Sequence, residues 1–197
     1  MSPHLNIGIL AAGRSSRMGG VDKLMQEVDG VPLLRRAVDR AVAAETGLVL
    51  VAVPDLGHDR AKVLGGTKAT LVAVPDAKDG MGHSMAALAA ASDGTPLMLA
   101  FADMPDIKDA DFRSIGAAFL EADCQKIVRA VAPNGTAGHP IAFPVRFFEE
   151  LRSLRGDEGP KALLRREGAV GVTIHGATTD LDTPEDWAAW QAQRNGD

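Results

Sequence analysis

The chain has 197 residues, a net charge of −5, 46% apolar residues and a single cysteine. That length suits one domain whose core needs no covalent staple, and the lone Cys124 excludes an internal disulfide and fits a reducing, cytoplasmic setting. No apolar run approaches the ~20 residues of a membrane span, no signal peptide is read at residues 1–5, and neither a basic tract nor an aromatic platform points to nucleic acid, so a small-molecule partner is expected.

In chain order, short β-rich runs alternate with amphipathic stretches. Residues 7–11, 48–53, 70–74 and 97–102 read as buried strands bounded by turns. Between the first two, Leu33, Leu34, Ala37, Val38, Ala41 and Val42 form the stripe of a helix, with Pro32 suited to its first turn. Residues 57–64 and 84–92 are shorter helix candidates, and 109–122 is a helix after the fourth strand. This alternation predicts an α/β fold with a mostly parallel sheet. The second half departs from it. Residues 127–132 and 141–143 flank Asn134-Gly135, a dipeptide suited to a tight hairpin, so a small antiparallel excursion is expected there as a lid or acceptor-side platform. Helices at 145–154 and 159–167 and a strand at 170–174 follow. The last helix opens on Thr183-Pro184-Glu185-Asp186, which supplies a hydroxyl cap, a first-turn proline and acids at the positive dipole end. No internal repeat or linker divides the chain, and one domain over residues 1–197 is expected. Trp187 and Trp190 of the last helix pack either in the core or against a partner.

The chemistry concentrates after the first strand. Leu10, Ala11, Ala12 and Gly13 are small enough at the turn for the backbone to approach a ligand at the carboxyl edge of the sheet. Successive N–H groups, followed by Arg14, Ser15, Arg17 and Lys23, can neutralise a triphosphate. The spacing matches neither a Walker A loop nor a dinucleotide-binding loop. Asp103 sits just past the fourth strand, at the same edge. Gly80 and Gly82 permit close approach to a ligand, and Ser84 can offer a hydroxyl and an N–H to a base or ribose. Asp76 and Asp79 either touch the nucleoside or are solvated loop acids. No His/Cys cluster suggests zinc, and no Ser–His–Asp or Cys–His set suggests a covalent intermediate.

From Leu10 to Lys23 the chain resembles the MobA-like NTP transferases, the relatives of the molybdenum cofactor guanylyl- and cytidylyltransferases. The resemblance continues in order through Gly80-Met81-Gly82-His83-Ser84, Ala102-Asp103-Met104-Pro105, Gly138-His139-Pro140, Gly156-Asp157-Glu158-Gly159 and Asp180-Leu181-Asp182-Thr183-Pro184-Glu185-Asp186. It implies a three-layer Rossmann-like nucleotidyltransferase fold of the GT-A kind. It also implies nucleotide binding by Leu10, Ala11, Ala12, Gly13, Arg14, Ser15, Lys23, Asp79, Gly80, Gly82 and Ser84. Arg17, Lys23 and Asp103 are implied in catalysis, and Asp103 and Asp182 as ligands of Mg²⁺, which suits one or two carboxylates plus phosphate oxygens and water. His139, Asp157 and Lys161 fall on the acceptor side, where His139 is either a structural hydrogen-bonder or a proton carrier.

Ala12 in place of a second glycine, the G-M-G-x-S piece and the D-x-D-T-P-E-D ending resemble the cytidylyltransferases. The implied reaction is attack by the phosphate of molybdenum-bound molybdopterin on CTP with loss of pyrophosphate, the product passing to a molybdenum hydroxylase of the xanthine dehydrogenase type. A guanylyltransferase, a sugar- or alcohol-phosphate nucleotidyltransferase and a non-catalytic nucleotide-binding insertion protein are the alternatives.

Overall fold

The computed structural model describes residues 4–14, 18–157 and 159–196. In chain order the elements are β1 (Asn6–Leu10), β2 (Glu27–Val28), β3 (Val31–Pro32), α1 (Leu33–Ala43), β4 (Val49–Val53), α2 (Asp59–Lys62), β5 (Thr70–Ala73), α3 (Met81–Ala91), β6 (Leu97–Phe101), α4 (Asp109–Glu121), β7 (Val128–Val131), β8 (Ala137–Phe143), α5 (Phe148–Ser153), α6 (Lys161–Glu167), β9 (Val170–Thr173) and α7 (Pro184–Gly196). Seven strands form one sheet in the order β5-β4-β1-β6-β8-β7-β9. Only β8 runs against its neighbours; the pairs β4–β5, β1–β4, β1–β6 and β7–β9 are parallel.

The three layers follow from the period-2 alternation of the strands. Ile7 and Ile9 of β1, Val49, Val51 and Val53 of β4, and Met98 and Ala100 of β6 face one core, closed by Leu34 and Val38 of α1, Phe112, Ile115 and Phe119 of α4, and Trp187 and Trp190 of α7. Leu50, Ala52, Leu97 and Leu99 face the other, covered by Met85 and Leu88 of α3, Leu151 of α5 and Leu163 of α6. Both tryptophans are core residues, 5% and 6% exposed. The T-P-E-D start of α7 is a reciprocal cap: Asp186 N donates to Thr183 Oγ1 at 3.2 Å while Asp186 Oδ2 accepts from Thr183 N at 2.8 Å.

Three features depart from the sequence-based expectation. The antiparallel piece is no peripheral lid, because β8 lies inside the sheet between β6 and β7, and it is seven residues long. The 141–143 run captured only its end, since Gly138 and Pro140 interrupt the apolar pattern. The expected helix at 84–92 begins three residues earlier, so Gly82 and Ser84 are in its first turns. A small hairpin, β2–β3, was not expected; it turns on Asp29 and Gly30, both at positive φ.

Backbone approaches at glycine hold segments distant in sequence together. A Cβ on Gly138 would stand 1.9 Å from Ala177 O, and one on Gly80 would stand 2.0 Å from the carbonyl carbon of Gly156. Gly116 of α4, by contrast, has 3.5 Å of room to its nearest neighbour, Thr46. Gly138→Ala is therefore expected to cost about 3 kcal/mol or more by overpacking, while Gly116→Ala gains up to about 1 kcal/mol of helix propensity. Urea denaturation of the two variants checks both signs.

Candidate active site

A cleft of about 480 Å³ opens at the carboxyl ends of β1 and β6. Its near wall is the turn after β1, where Leu10, Ala11, Gly13 and Arg14 line the space. Arg60 of α2, 4% exposed, donates from Nη1 to Ala11 O and Gly13 O, both at 2.7 Å. Because a peptide's C=O and the following N–H point in opposite directions, these bonds turn the N–H groups of Ala12 and Arg14 away from Arg60. Among the described residues, no backbone carbonyl accepts from the N–H groups of Ala12, Gly13 or Arg14. A row of N–H groups with this freedom suits an anion.

The floor carries the charges. Lys23 Nζ bonds Asp103 Oδ2 and, at 2.6 Å, Asp182 Oδ1. These three side chains are 13%, 15% and 27% exposed. Burial works against the Lys23 ammonium, but the two carboxylates outweigh it and hold its pKa above the usual lysine value. Leu181 N donates to Asp103 O at 3.1 Å, which ties the 180–182 segment to the end of β6. Asp103 Oδ1 is buried and accepts from no described group, a position a cation can satisfy. Asp180, quoted in the sequence motif but given no role there, also lines the cleft. Loss of solvation, followed by the negative charges of Asp103 and Asp182, pushes it up to about 6.

The far wall is the start of α3 and the 155–157 loop. Gly80, Met81, Ser84, Ala77, Lys78 and Asp157 line it. Gly80 lines the cleft, while both motif glycines also pack closely: Gly82 N donates to Gly156 O at 2.8 Å, and a Cβ on Gly82 would meet the Arg155 backbone at 2.8 Å. Asp79 is exposed on the short turn before α3, outside the cleft lining. Ala12 lines a smaller adjoining recess of about 210 Å³ with Pro54, Val74, Pro75 and Lys78. Lys161 lies in a separate groove that shares only Asp157 with the cleft. Ser15 and Arg17 lie outside the described residues.

His139 does not line the cleft, but its ring lies 4.3 Å from that of Phe101, which does. Burial and the neighbouring Arg129 push His139 down to about 4, so it is neutral at pH 7. Gly138 and His139 N, the latter bonded to Ala177 O at 3.0 Å, fasten β8 to the segment leading into Asp180. Arg60, Asp180 and Phe101 are the residues that sequence reasoning missed; of these only Asp180 stood in a recognised motif.

This arrangement can hold a polyanion between the turn's N–H groups and Lys23, and a divalent cation at Asp103 and Asp182. Among the described residues no three His, Cys, Asp or Glu side chains converge to hold an ion by themselves, so phosphate and water would complete the shell. The carboxylates also imply a pH signature. Asp180 binds its proton more tightly in the fold than in the unfolded chain, so it withdraws stability as pH rises from about 4 through about 6. Asp180→Asn is expected to be the more stable protein at pH 7.5 in chelator, with the advantage vanishing near pH 4; denaturation midpoints at the two pH values decide it.

The sequence model of the MobA-like NTP transferase domain family matches residues 7–170. The chain is similar over nearly its whole length to the purine catabolism protein PucB of Bacillus subtilis (strain 168), 28% identical over 213 positions covering 94% of this chain and 95% of that one. A probable molybdenum cofactor guanylyltransferase of Natronomonas pharaonis is 41% identical over 70 residues, 34% of this chain and 35% of its own length. Among solved structures, Rv0371c from Mycobacterium tuberculosis H37Rv superposes with a TM-score of 0.81 at 21% identity, covering 98% of this chain and 100% of that one. A manganese complex of Rv0371c superposes at 0.75 with 22% identity, over 94% and 97% of the two chains. The chain therefore belongs to the MobA-like NTP transferase domain family and is a nucleotidyltransferase.

Proposed function

We propose that this transferase moves a cytidylyl group from CTP to the phosphate of molybdenum-bound molybdopterin, releasing pyrophosphate. The observation that carries the reading is Lys23 held between Asp103 and Asp182 in the same cleft as the turn after β1. Mg²⁺ fits that donor set, since it takes one or two carboxylates and leaves its other positions to water and phosphate. Asp103 and Asp182 would hold it, with Asp103 Oδ1 already buried and without a partner. The manganese complex of Rv0371c supports a divalent ion in this fold. When bound, the ion would offset charge developing on the α-phosphoryl group and on pyrophosphate.

The chain's own groups do the rest. The N–H groups at 12–14 receive phosphate oxygens, and Lys23 and Arg17 add positive charge along the triphosphate. An oxygen of the acceptor phosphate forms a bond to the α-phosphorus as the bond to the β-phosphate bridging oxygen breaks, and pyrophosphate departs. The acceptor is already ionised, so no general base is needed. His139, neutral at pH 7, is assigned a hydrogen-bonding rather than a proton-donating part on the acceptor side. Asp157 at the cleft mouth is assigned to the acceptor, with Lys161 reached along the neighbouring groove. Positioning of the two phosphates supplies much of the acceleration.

The base reading rests on Ala12. We assign the base to the recess of about 210 Å³ that Ala12 lines, where a methyl in place of hydrogen favours the smaller pyrimidine. GTP is the second reading, favoured by the guanylyltransferase relative. The purine-catabolism name of PucB suits delivery to a hydroxylase of the xanthine dehydrogenase type. Pyrophosphate release with Mg²⁺, molybdenum-loaded molybdopterin and each NTP in turn tests the reading. Release with CTP is expected, and Ala12→Gly should shift preference toward GTP by about tenfold or more, the effect of one methyl in a pocket. Release with GTP alone overturns the base assignment; silence with every NTP overturns the acceptor or the reaction.

A further inference from the structure

Arg60 spends a buried charge on this site. It comes from α2, a helix of only four residues, anchored by buried Ala61 and by His58, whose Nδ1 accepts from Arg60 N at 3.2 Å. Its guanidinium forms a forked pair with Asp22, Nε to Oδ2 at 2.7 Å and Nη2 to Oδ1 at 2.8 Å, while Nη1 holds Ala11 O and Gly13 O. Asp22 Oδ1 also accepts from Leu24 N at 3.0 Å, starting the short turn over Lys23–Met25. One side chain thus joins both sides of the motif: the turn at 11–13 and the backbone that carries Lys23.

The geometry points to Arg60 as the positioning residue of the nucleotide site, and we propose that its fork with Asp22 sets the orientation of the turn's N–H groups and the placement of Lys23. Carbonyl oxygens facing a triphosphate repel it; Arg60 draws two of them to its own side. Burying a guanidinium is costly unless carboxylate and carbonyl acceptors satisfy it, and here Asp22, Ala11 and Gly13, which supply them among the described residues, belong to the nucleotide motif. The fork is a property of the planar guanidinium: the ammonium of lysine cannot meet a carboxylate edge-on and two carbonyls at once. Arg60 also lines the recess to which the base is assigned; the proposed effect passes through Ala11, Gly13 and Asp22, and amide exchange reads it apart from any direct contact.

The inference rests on the NTP reading, and the test separates the two. Arg60→Lys and Asp22→Asn are made in the full chain. CTP and GTP are titrated with Mg²⁺ by calorimetry, the KM for NTP is measured apart from that for acceptor, and amide exchange is followed over residues 10–25. Arg60→Lys is expected to weaken NTP binding and raise its KM by about 100-fold, the scale of a small misplacement at a reacting site. The acceptor KM should stay at the wild-type value, and exchange should quicken at 12–14 and 23–24. Asp22→Asn, which keeps the bonds to the carbonyls, should show the same pattern more weakly and serves if Arg60→Lys does not fold. Wild-type NTP affinity with unchanged exchange in either folded variant overturns the proposal. Equal losses for NTP and acceptor that track the melting temperature overturn it too, leaving Arg60 a structural residue. If the wild-type chain binds no NTP, the functional reading fails instead, and the exchange data alone decide whether Arg60 orders the turn.

Discussion

The ammonium of Lys23, shared between Asp103 and Asp182, is the contact on which the rest of the site depends. Its partners stand 80 and 159 residues away in sequence, so it fastens the turn after β1, the end of β6 and the approach to α7 at one point. Among the described side chains that meet at this point, two carboxylates and one ammonium leave an excess negative charge in a half-buried cleft, and Asp180 adds to it. Loss of solvation first, and then that excess, explain why Asp180 resists ionisation, and the excess is the electrostatic reason to propose a divalent cation here. A bound cation would release Lys23 from its double duty toward the phosphates.

Around that point the fold works through backbone contacts. Gly80 and Gly82 bring α3 onto the 155–157 loop, and Gly138 brings β8 onto Ala177, leading directly to the Asp180–Asp182 segment. Gly176 does the same against Asp106, whose Oδ1 accepts from Trp190 Nε1 at 3.0 Å. The glycines of the later motifs are therefore best understood as joints. They hold the segments around the cleft at fixed distances, and the carboxylate–ammonium cluster has such joints on both sides.

Much of this was legible in the sequence where a single physical rule applied. The parallel strands stood out as short apolar runs between turns, and the T-P-E-D cap announced α7 because capping is local. The place of β8 was not legible, since Gly138 and Pro140 broke its pattern and strand order is decided by long-range pairing. The early start of α3 was hidden because glycines that pack a helix end read like a loop. At the site, Lys23, Asp103 and Asp182 were named from their motifs and meet in space, while Asp79 and Lys161 lie outside the cleft. Arg60 had no motif to mark it; its importance comes only from the carbonyls and the carboxylate that folding brings to it. Asp180 stood in view, but its shifted acidity comes from burial first, and then from the neighbouring Asp103 and Asp182, which only folding supplies.

The proposed divalent-cation site of Asp103 and Asp182, completed by a triphosphate, is open to direct measurement. Electron paramagnetic resonance of Mn²⁺ titrated into the protein, with and without CTP, tests it most directly. Weak Mn²⁺ binding alone, binding tightened by the nucleotide, and loss of that tightening in folded Asp103→Ala and Asp182→Ala are expected. Nucleotide-dependent Mn²⁺ binding that survives both substitutions would contradict it.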